Sequence, residues 1–194
     1  VQHRVKGTAF AAAVFTNLGR DHLDLHGTQE EYFRAKSLLF TSHGVAQIII
    51  NDDDVHGRLL GDLSSGTDDV YRFSMSDIEN LHMAMSGSAF VLDGRSFRVH
   101  LPGRQNVENA LAVIACARAV GVADEVIAHG LESVQTVPGR MELVSYDEFD
   151  AVVDFAHTPE ALEALLRTCR EIAPSRRLVV VFGCGGGRDL SLIH

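Results

Sequence analysis

Cysteine is scarce in this chain of 194 residues: Cys116, Cys169 and Cys184 lie far apart, are odd in number and include no Cys-x-x-Cys pair. No disulfide framework is indicated, and a reducing cytoplasmic setting is the simplest expectation. Long apolar runs are missing too. No stretch of about 18 apolar residues exists to span a membrane, and the opening VQHRVKGTAF has neither the apolar core of a leader peptide nor an initiating Met. The chain therefore reads as cut from something longer. Positive charge is in deficit, with 17 Lys and Arg against 26 Asp and Glu and a formal net charge of -9. That balance argues against a general nucleic-acid or anionic-membrane surface, so any phosphate must be gripped locally by a few arginines. The phosphate-loop pattern G-x-x-x-x-G-K-[ST] occurs nowhere.

What is present is enough for a core: 46% of the residues are hydrophobic. The length fits one domain plus part of another. Apolar periodicity predicts strands at AAAVF, AQIIIN and DVYRFS, alternating with helices from Thr28 to Phe40 and over DVHGRLLGDL. SAFVLDGRSFRVHL reads as a hairpin turned at Asp93-Gly94. NVENALAVIACARAV is predicted to be a helix, apolar almost all round and therefore buried, stopped by Gly121. A further helix is expected near DEVIAHGLESV. Pro138 and Gly139 then punctuate a change of texture. Beyond them AVVDFA reads as a strand and TPEALEALLRTCREI as a helix with Thr158 as N-cap and Pro159 at its first position. RRLVVVFG is predicted to be the next strand, which would close a βαβ unit opening a second α/β domain.

The stretch FTNLGRDHLDLHGTQEEYFRAKSLLF poses a chemical question. Thr28 and Glu31 form a capping box that fixes the helix start. At 100° per residue, Tyr32, Phe33, Ala35, Leu39 and Phe40 cover one arc, and Lys36 falls inside it. A cation there can snorkel, pair with a carboxylate, or be driven neutral by burial. A neutral amine can add carbon dioxide to become a carbamate, an anionic oxygen donor of the kind Mg²⁺ prefers. Asp21, His22, Asp24 and His26 lie one loop away, as a metal cluster or as a solvated loop. The residues alone leave both readings open.

The stretches VQHRV, AVFTNLGRDHLDLHGTQEEYFRAKSLLF, NVENALA, VPGRMELV, VVDFAHTPEALEALLRTCR and VVVFGCGGGRD occur here in that order and cover nearly all of residues 1–189. Together they resemble the Mur ligases, and among them the tripeptide-synthetase (MurE) type. The resemblance implies most of a P-loop-type ATPase central domain over residues 1–142, its P-loop lying upstream, followed by the start of a Rossmann-like C-terminal domain over 143–189. It also implies an ATP-dependent ligase that activates a carboxylate as an acyl phosphate, which an amino acid's amine then attacks. The implied substrates are UDP-N-acetylmuramoyl-L-alanyl-D-glutamate and a diamino acid, with meso-diaminopimelate favoured over L-lysine. The implied place is the peptidoglycan synthesis of a cytoplasmic, monomeric enzyme. Two alternatives stand beside it: another superfamily amide ligase of the folylpolyglutamate or cyanophycin synthetase type, and a non-catalytic nucleotide-binding module.

Site residues carry over position by position. Lys36, as a carbamate, and His22 match the pair that holds a second Mg²⁺. Gln2 and Arg4 match contacts to the UDP-muramoyl dipeptide. Asn106 and Asn109 match residues near the adenine, although Asn106 could equally cap its helix. Arg140 matches a nucleotide-contacting arginine at the domain junction, and Asp154 the aspartate near the ribose, with His157 beside it; a helix cap is the competing role for Asp154. Arg188, in GCGGGRD, matches the arginine that holds the incoming diamino acid's carboxylate. Two departures stand out: Gly187 replaces the family's aspartate, and Phe155 replaces the commoner tyrosine, keeping the ring without its hydroxyl. Residues 190–194 match what a transposon-end sequencing adapter encodes in one frame and are expected to be an artefact. By itself this 194-residue piece is expected to be inactive and to fold poorly.

Overall fold

The computed structural model describes residues 7–19, 28–41, 45–64 and 70–183. The chain forms two compact units that interleave in sequence. One comprises residues 1–78 and 108–129, the other residues 79–107 and 130–194.

The first unit is built on a parallel three-stranded sheet, β1 (Phe10–Phe15), β2 (Val45–Asn51) and β3 (Val70–Phe73), in the order β1-β2-β3. Helix α1 (Gln29–Thr41) connects the first pair and α2 (Val55–Leu63) the second. Parallel neighbours need such crossovers, and a strand flanked on both edges needs apolar side chains on both faces. β2 meets that demand with Ile48, Ile49 and Ile50, all buried. Ala13, Phe15, Leu18, Phe40, Ile48, Ile50 and Leu60 form the core of this unit. Phe15 meets the rings of Phe33 and Phe40 edge-on, at centroid distances of 6.4 and 5.9 Å. The Thr28 hydroxyl accepts the Glu31 N–H at 3.1 Å, the hydroxyl half of the expected capping box.

Helix α3 (Arg104–Ala119) starts two residues before the predicted one. Val107 N–H bonds to the Gly103 carbonyl, so Gly103 occupies the cap position and Asn106 lies inside the first turn. The capping alternative for Asn106 is thereby corrected. The helix is buried at Val107, Ala110, Leu111, Ala112 and Ile114 but 50% exposed at Val113, so the expectation of burial all round holds for one face only. It ends as predicted at Gly121: Gly121 N–H bonds to Arg118 O and Val122 N–H to Ala117 O, the paired bonds of a Schellman cap. Helix α4 (Asp124–Ser133) follows, and within the first unit Arg118 grips Asp124 through two bonds of 2.8 Å.

The second unit holds a three-stranded sheet, β4 (Ile78–Ala84), β5 (Gly87–Leu92) and β6 (Arg95–Val99). The β5–β6 turn takes positive φ at both central residues, Asp93 (51°) and Gly94 (75°), as a two-residue hairpin turn requires. Phe90 and Phe97 stack across the pair at 5.8 Å. β4 is absent from the sequence-based expectation because IENLHMA shows no clean alternation and bends at Asn80, where φ is 52°. Next come β7 (Glu142–Ser145), β8 (Asp150–Val153) and α5 (Pro159–Ile172). Thr158 caps α5 as expected, its hydroxyl accepting the Ala161 N–H at 3.2 Å.

Two expectations for this unit need correction. β8 pairs antiparallel with β7 rather than opening a βαβ unit, with Glu142 opposite Val153 and Ser145 opposite Asp150. The predicted strand RRLVVVFG forms no ladder: residues 177–183 pair with no neighbouring strand among the described residues, and Val181 is 94% exposed. Apolar β-branched composition favours an extended chain, but only a paired neighbour makes it a strand.

Candidate functional site

Arg140, Asp154 and His157, predicted separately, come together in the second unit around the ring of Phe155. The segment from Val137 to Glu142 makes a tight turn in which Arg140 N–H bonds to Val137 O at 3.0 Å. Gly139 and Met141, on either side of Arg140, both take left-handed backbone angles, φ 68° and 49°. For methionine that conformation is costly unless its surroundings impose it. Here they do. Asp154 Oδ2 accepts the Met141 N–H at 2.8 Å, and the Met141 side chain is only 2% exposed. Phe155 N–H donates to Gly139 O at 2.9 Å, and Glu142 Oε2 accepts the Gly139 N–H at 2.9 Å.

The second oxygen of Asp154, Oδ1, accepts the Ala156 N–H at 2.8 Å. Asp154 therefore does not cap α5, which is the role of Thr158. It closes the loop leaving β8 and ties that loop to the arginine turn. Its charge is also felt behind it: burial pushes the Cys169 thiol above its ordinary pKa, and the Asp154 carboxylate adds to the shift. On the outer side the Arg140 guanidinium lies 5.2 Å from the centre of the Phe155 ring. His157 packs edge-on against the same ring, centroids 5.0 Å apart, and its Nδ1 is 2.9 Å from Phe155 O. Phe155 is 62% exposed. The result is a cation, an imidazole and an aromatic face offered together to solvent, an arrangement able to hold a planar base or an anionic group.

Asn106, in the first turn of α3, is buried, and its Nδ2 donates to Pro102 O at 2.7 Å. Gln105 beside it accepts the Thr168 hydroxyl of α5 at 3.0 Å. Asn109 lies one helical turn further on and is exposed.

In the first unit Lys36 is half-buried rather than buried, and its Nζ lies 5.1 Å above the ring of Tyr32, one turn earlier. Of the arc it shares, Phe40 alone is fully buried, so the lysine stem follows a partly covered aromatic surface. Among the described residues no group of three or more His, Cys, Asp or Glu is placed to hold a metal. Gln2, Arg4, His22 and Arg188 lie outside the described residues, as do Asp21, Asp24, His26 and Gly187.

One cluster was not anticipated from the sequence. At the end of β2, Asn51 Nδ2 donates to Thr16 O at 2.7 Å and its Oδ1 accepts the Asp53 N–H at 2.9 Å. Asp54 caps α2 through His56 N–H and Gly57 N–H and also accepts the Leu18 N–H at 3.2 Å. Asp53 accepts from the Ser74 hydroxyl and the Met75 N–H. Asp52 pairs with Arg72 at 2.6 Å, the chief cause of a raised arginine pKa. The available signal was an Asp immediately before an amphipathic run.

Against known families, the Mur ligase middle domain matches residues 1–117 and the Mur ligase glutamate-ligase domain residues 139–192. The chain belongs to the Mur ligase family. Among curated Mur ligases, the UDP-N-acetylmuramoyl-L-alanyl-D-glutamate–2,6-diaminopimelate ligase 1 of Clostridium acetobutylicum is 41% identical, over 96% of this chain and 40% of its own length. The corresponding ligase of Aquifex aeolicus is 40% identical, over 97% of this chain and 40% of its own. The chain thus spans about 40% of the length of the curated relatives it matches. A solved structure of a ligase of the same name superposes with a TM-score of 0.70 at 35% identity, covering 96% of this chain and 40% of that one. The apo form of L. casei FPGS reaches 0.67 at 18% identity, over 85% of this chain and 43% of its own, a likeness of fold alone. The α/β class expected from the sequence is the class of this family. Among the described residues no helix is long and apolar enough to cross a membrane.

Proposed function

We propose that this chain carries the nucleotide- and metal-handling part of an ATP-dependent ligase that adds a diamino acid, meso-diaminopimelate, to UDP-N-acetylmuramoyl-L-alanyl-D-glutamate. The observation that carries the reading is identity of about 40%, spread over at least 96% of the chain, to relatives bearing that name. In the reaction a substrate carboxylate oxygen attacks the terminal phosphorus of ATP and ADP departs. The diamino acid's amine then attacks the acyl carbon, phosphate leaves, and an amide remains. Residues 1–142 serve as the central domain and 143–189 as the start of the C-terminal domain, with the phosphate loop supplied upstream. The enzyme works as a cytoplasmic monomer.

The roles follow the chemistry of the side chains. Arg140 offers its guanidinium to the nucleotide, and the exposed face of Phe155 with His157 lies beside it. Asn109 and Asn106 are assigned to the adenine, and Asp154 to the ribose. Gln2 and Arg4 hold the muramoyl dipeptide, and Arg188 the diamino acid's carboxylate. Lys36, half-buried in a partly apolar arc, stands at the position matched to the carbamylated lysine. Its carbamate oxygens with His22 would make a hard donor set for Mg²⁺, which supplies neutralisation of phosphate charge when bound.

The test is phosphate release by the protein expressed from its complete gene, given ATP, Mg²⁺ and the muramoyl dipeptide, with meso-diaminopimelate, with L-lysine or with neither. Release that requires meso-diaminopimelate is expected. Absence of release with either amino acid would point instead to another ligase of the superfamily or to a binding module. In the same assay Lys36→Ala is expected to lower kcat by about a hundredfold or more, as losing a preorganised charge-stabilising group does.

A further inference from the structure

We propose that Glu142 is a positioning residue for Arg140, fixing the turn from which the guanidinium reaches the nucleotide; the inference rests on the nucleotide-binding reading of Arg140. The backbone N–H groups of Gly139, Arg140 and Met141 are all tied down. That of Arg140 bonds to Val137 O, and the following N–H, of Met141, bonds to Asp154. The preceding residue, Gly139, is held at both ends, its carbonyl by the Phe155 N–H and its N–H by Glu142 Oε2 at 2.9 Å.

Of these ties, the Glu142 carboxylate is the one made by a side chain that the substrate-handling scheme does not otherwise use. Glu142 is the first residue of β7, paired in register with Val153, so its backbone is anchored by the ladder while its side chain reaches back three residues. A flexible Gly139 would otherwise be free to leave φ 68°, and the arginine would swing with it. The ladder thus fixes the carboxylate, the carboxylate fixes Gly139, and Gly139 with Met141 fixes the direction in which Arg140 leaves the chain. A functional cation on a loop gains from such support, because misplacement by about 1 Å can cost on the order of a hundredfold in rate.

The test uses the protein expressed from its complete gene and measures KM for ATP, KM for the muramoyl dipeptide and the thermal midpoint. The variants are Arg140→Ala, Glu142→Ala, Glu142→Asp, Glu142→Gln and the Arg140→Ala/Glu142→Ala double. Glu142→Asp keeps the charge but is one methylene too short, so it carries the test if Glu142→Ala does not fold. The proposal expects Arg140→Ala and both shortened variants to raise KM for ATP by roughly tenfold while KM for the dipeptide stays within about twofold. It expects Glu142→Gln, which keeps an accepting oxygen, to restore KM for ATP, and the double variant to be no worse than Arg140→Ala. Glu142 variants that lower the midpoint yet leave KM for ATP unchanged, while Arg140→Ala raises it, would overturn the positioning role. An unchanged KM for ATP in Arg140→Ala would overturn the nucleotide reading itself and the inference with it.

Discussion

The ends of β2 and β8 both carry aspartates, and they use them differently. At the end of β2, Asp52, Asp53 and Asp54 are each engaged with other protein groups: Arg72, the Ser74 and Met75 segment, and the amides of α2 and Leu18. At the end of β8, Asp154 is equally occupied, by Met141 and Ala156. What differs is the residue each network presents. The β2 cluster closes on itself, whereas the β8 aspartate holds a turn at Met141 whose preceding side chain, Arg140, lies over an exposed ring. Density of acids is therefore a poor guide to a site. The better guide is which group a satisfied acid leaves facing solvent.

That contrast can be broken or sharpened by substitution, in the protein expressed from its complete gene. The largest effect is expected at β8: Asp154→Ala strands two backbone N–H groups and should cost about 1–3 kcal/mol in urea unfolding while also raising KM for ATP. At β2, Asp54→Ala removes the α2 cap and the Leu18 contact and should cost about 1–2 kcal/mol with KM for ATP unmoved. If Asp54→Ala impaired nucleotide use as strongly as Asp154→Ala, the two strand ends would be functionally alike and the contrast would fail. The smallest effect concerns Asp150, whose carboxyl is held below its ordinary value of 3.8 by a hydrogen bond from Ser145 and by Arg176. A depressed folded-state pKa means that this contribution is present above pH 3.8 and is lost as the pH falls below it. Asp150→Asn should flatten the acid limb of a stability-against-pH curve slightly, since its partner Arg176 is exposed and the pair is screened by salt.

Much of this was legible in the chain. Local chemistry announced itself where a residue type can do one thing well: Thr158-Pro159 opening α5, Asp93-Gly94 turning a hairpin, Gly121 ending α3. Motif resemblance brought Arg140, Asp154 and His157 into view as candidate site residues. What stayed hidden depends on partners distant in sequence. Nothing local says that the Asp154 carboxylate bonds 13 residues back to Met141, or that a methionine takes a left-handed angle because its side chain is buried. β7 has only four residues and follows a Pro-Gly turn, so its pattern was too short to read before its partner was known. The run 178–182 showed the reverse: strong strand composition without a ladder.

That run has a practical consequence. Leu178 to Phe182 is an uncharged, β-branched window without proline, largely open to solvent, with Arg176 and Arg177 as its only flanking gatekeepers on the upstream side. Such a window is adhesive towards other copies of itself. Exposed as it is, this five-residue window is expected to limit the solubility of this polypeptide at high concentration.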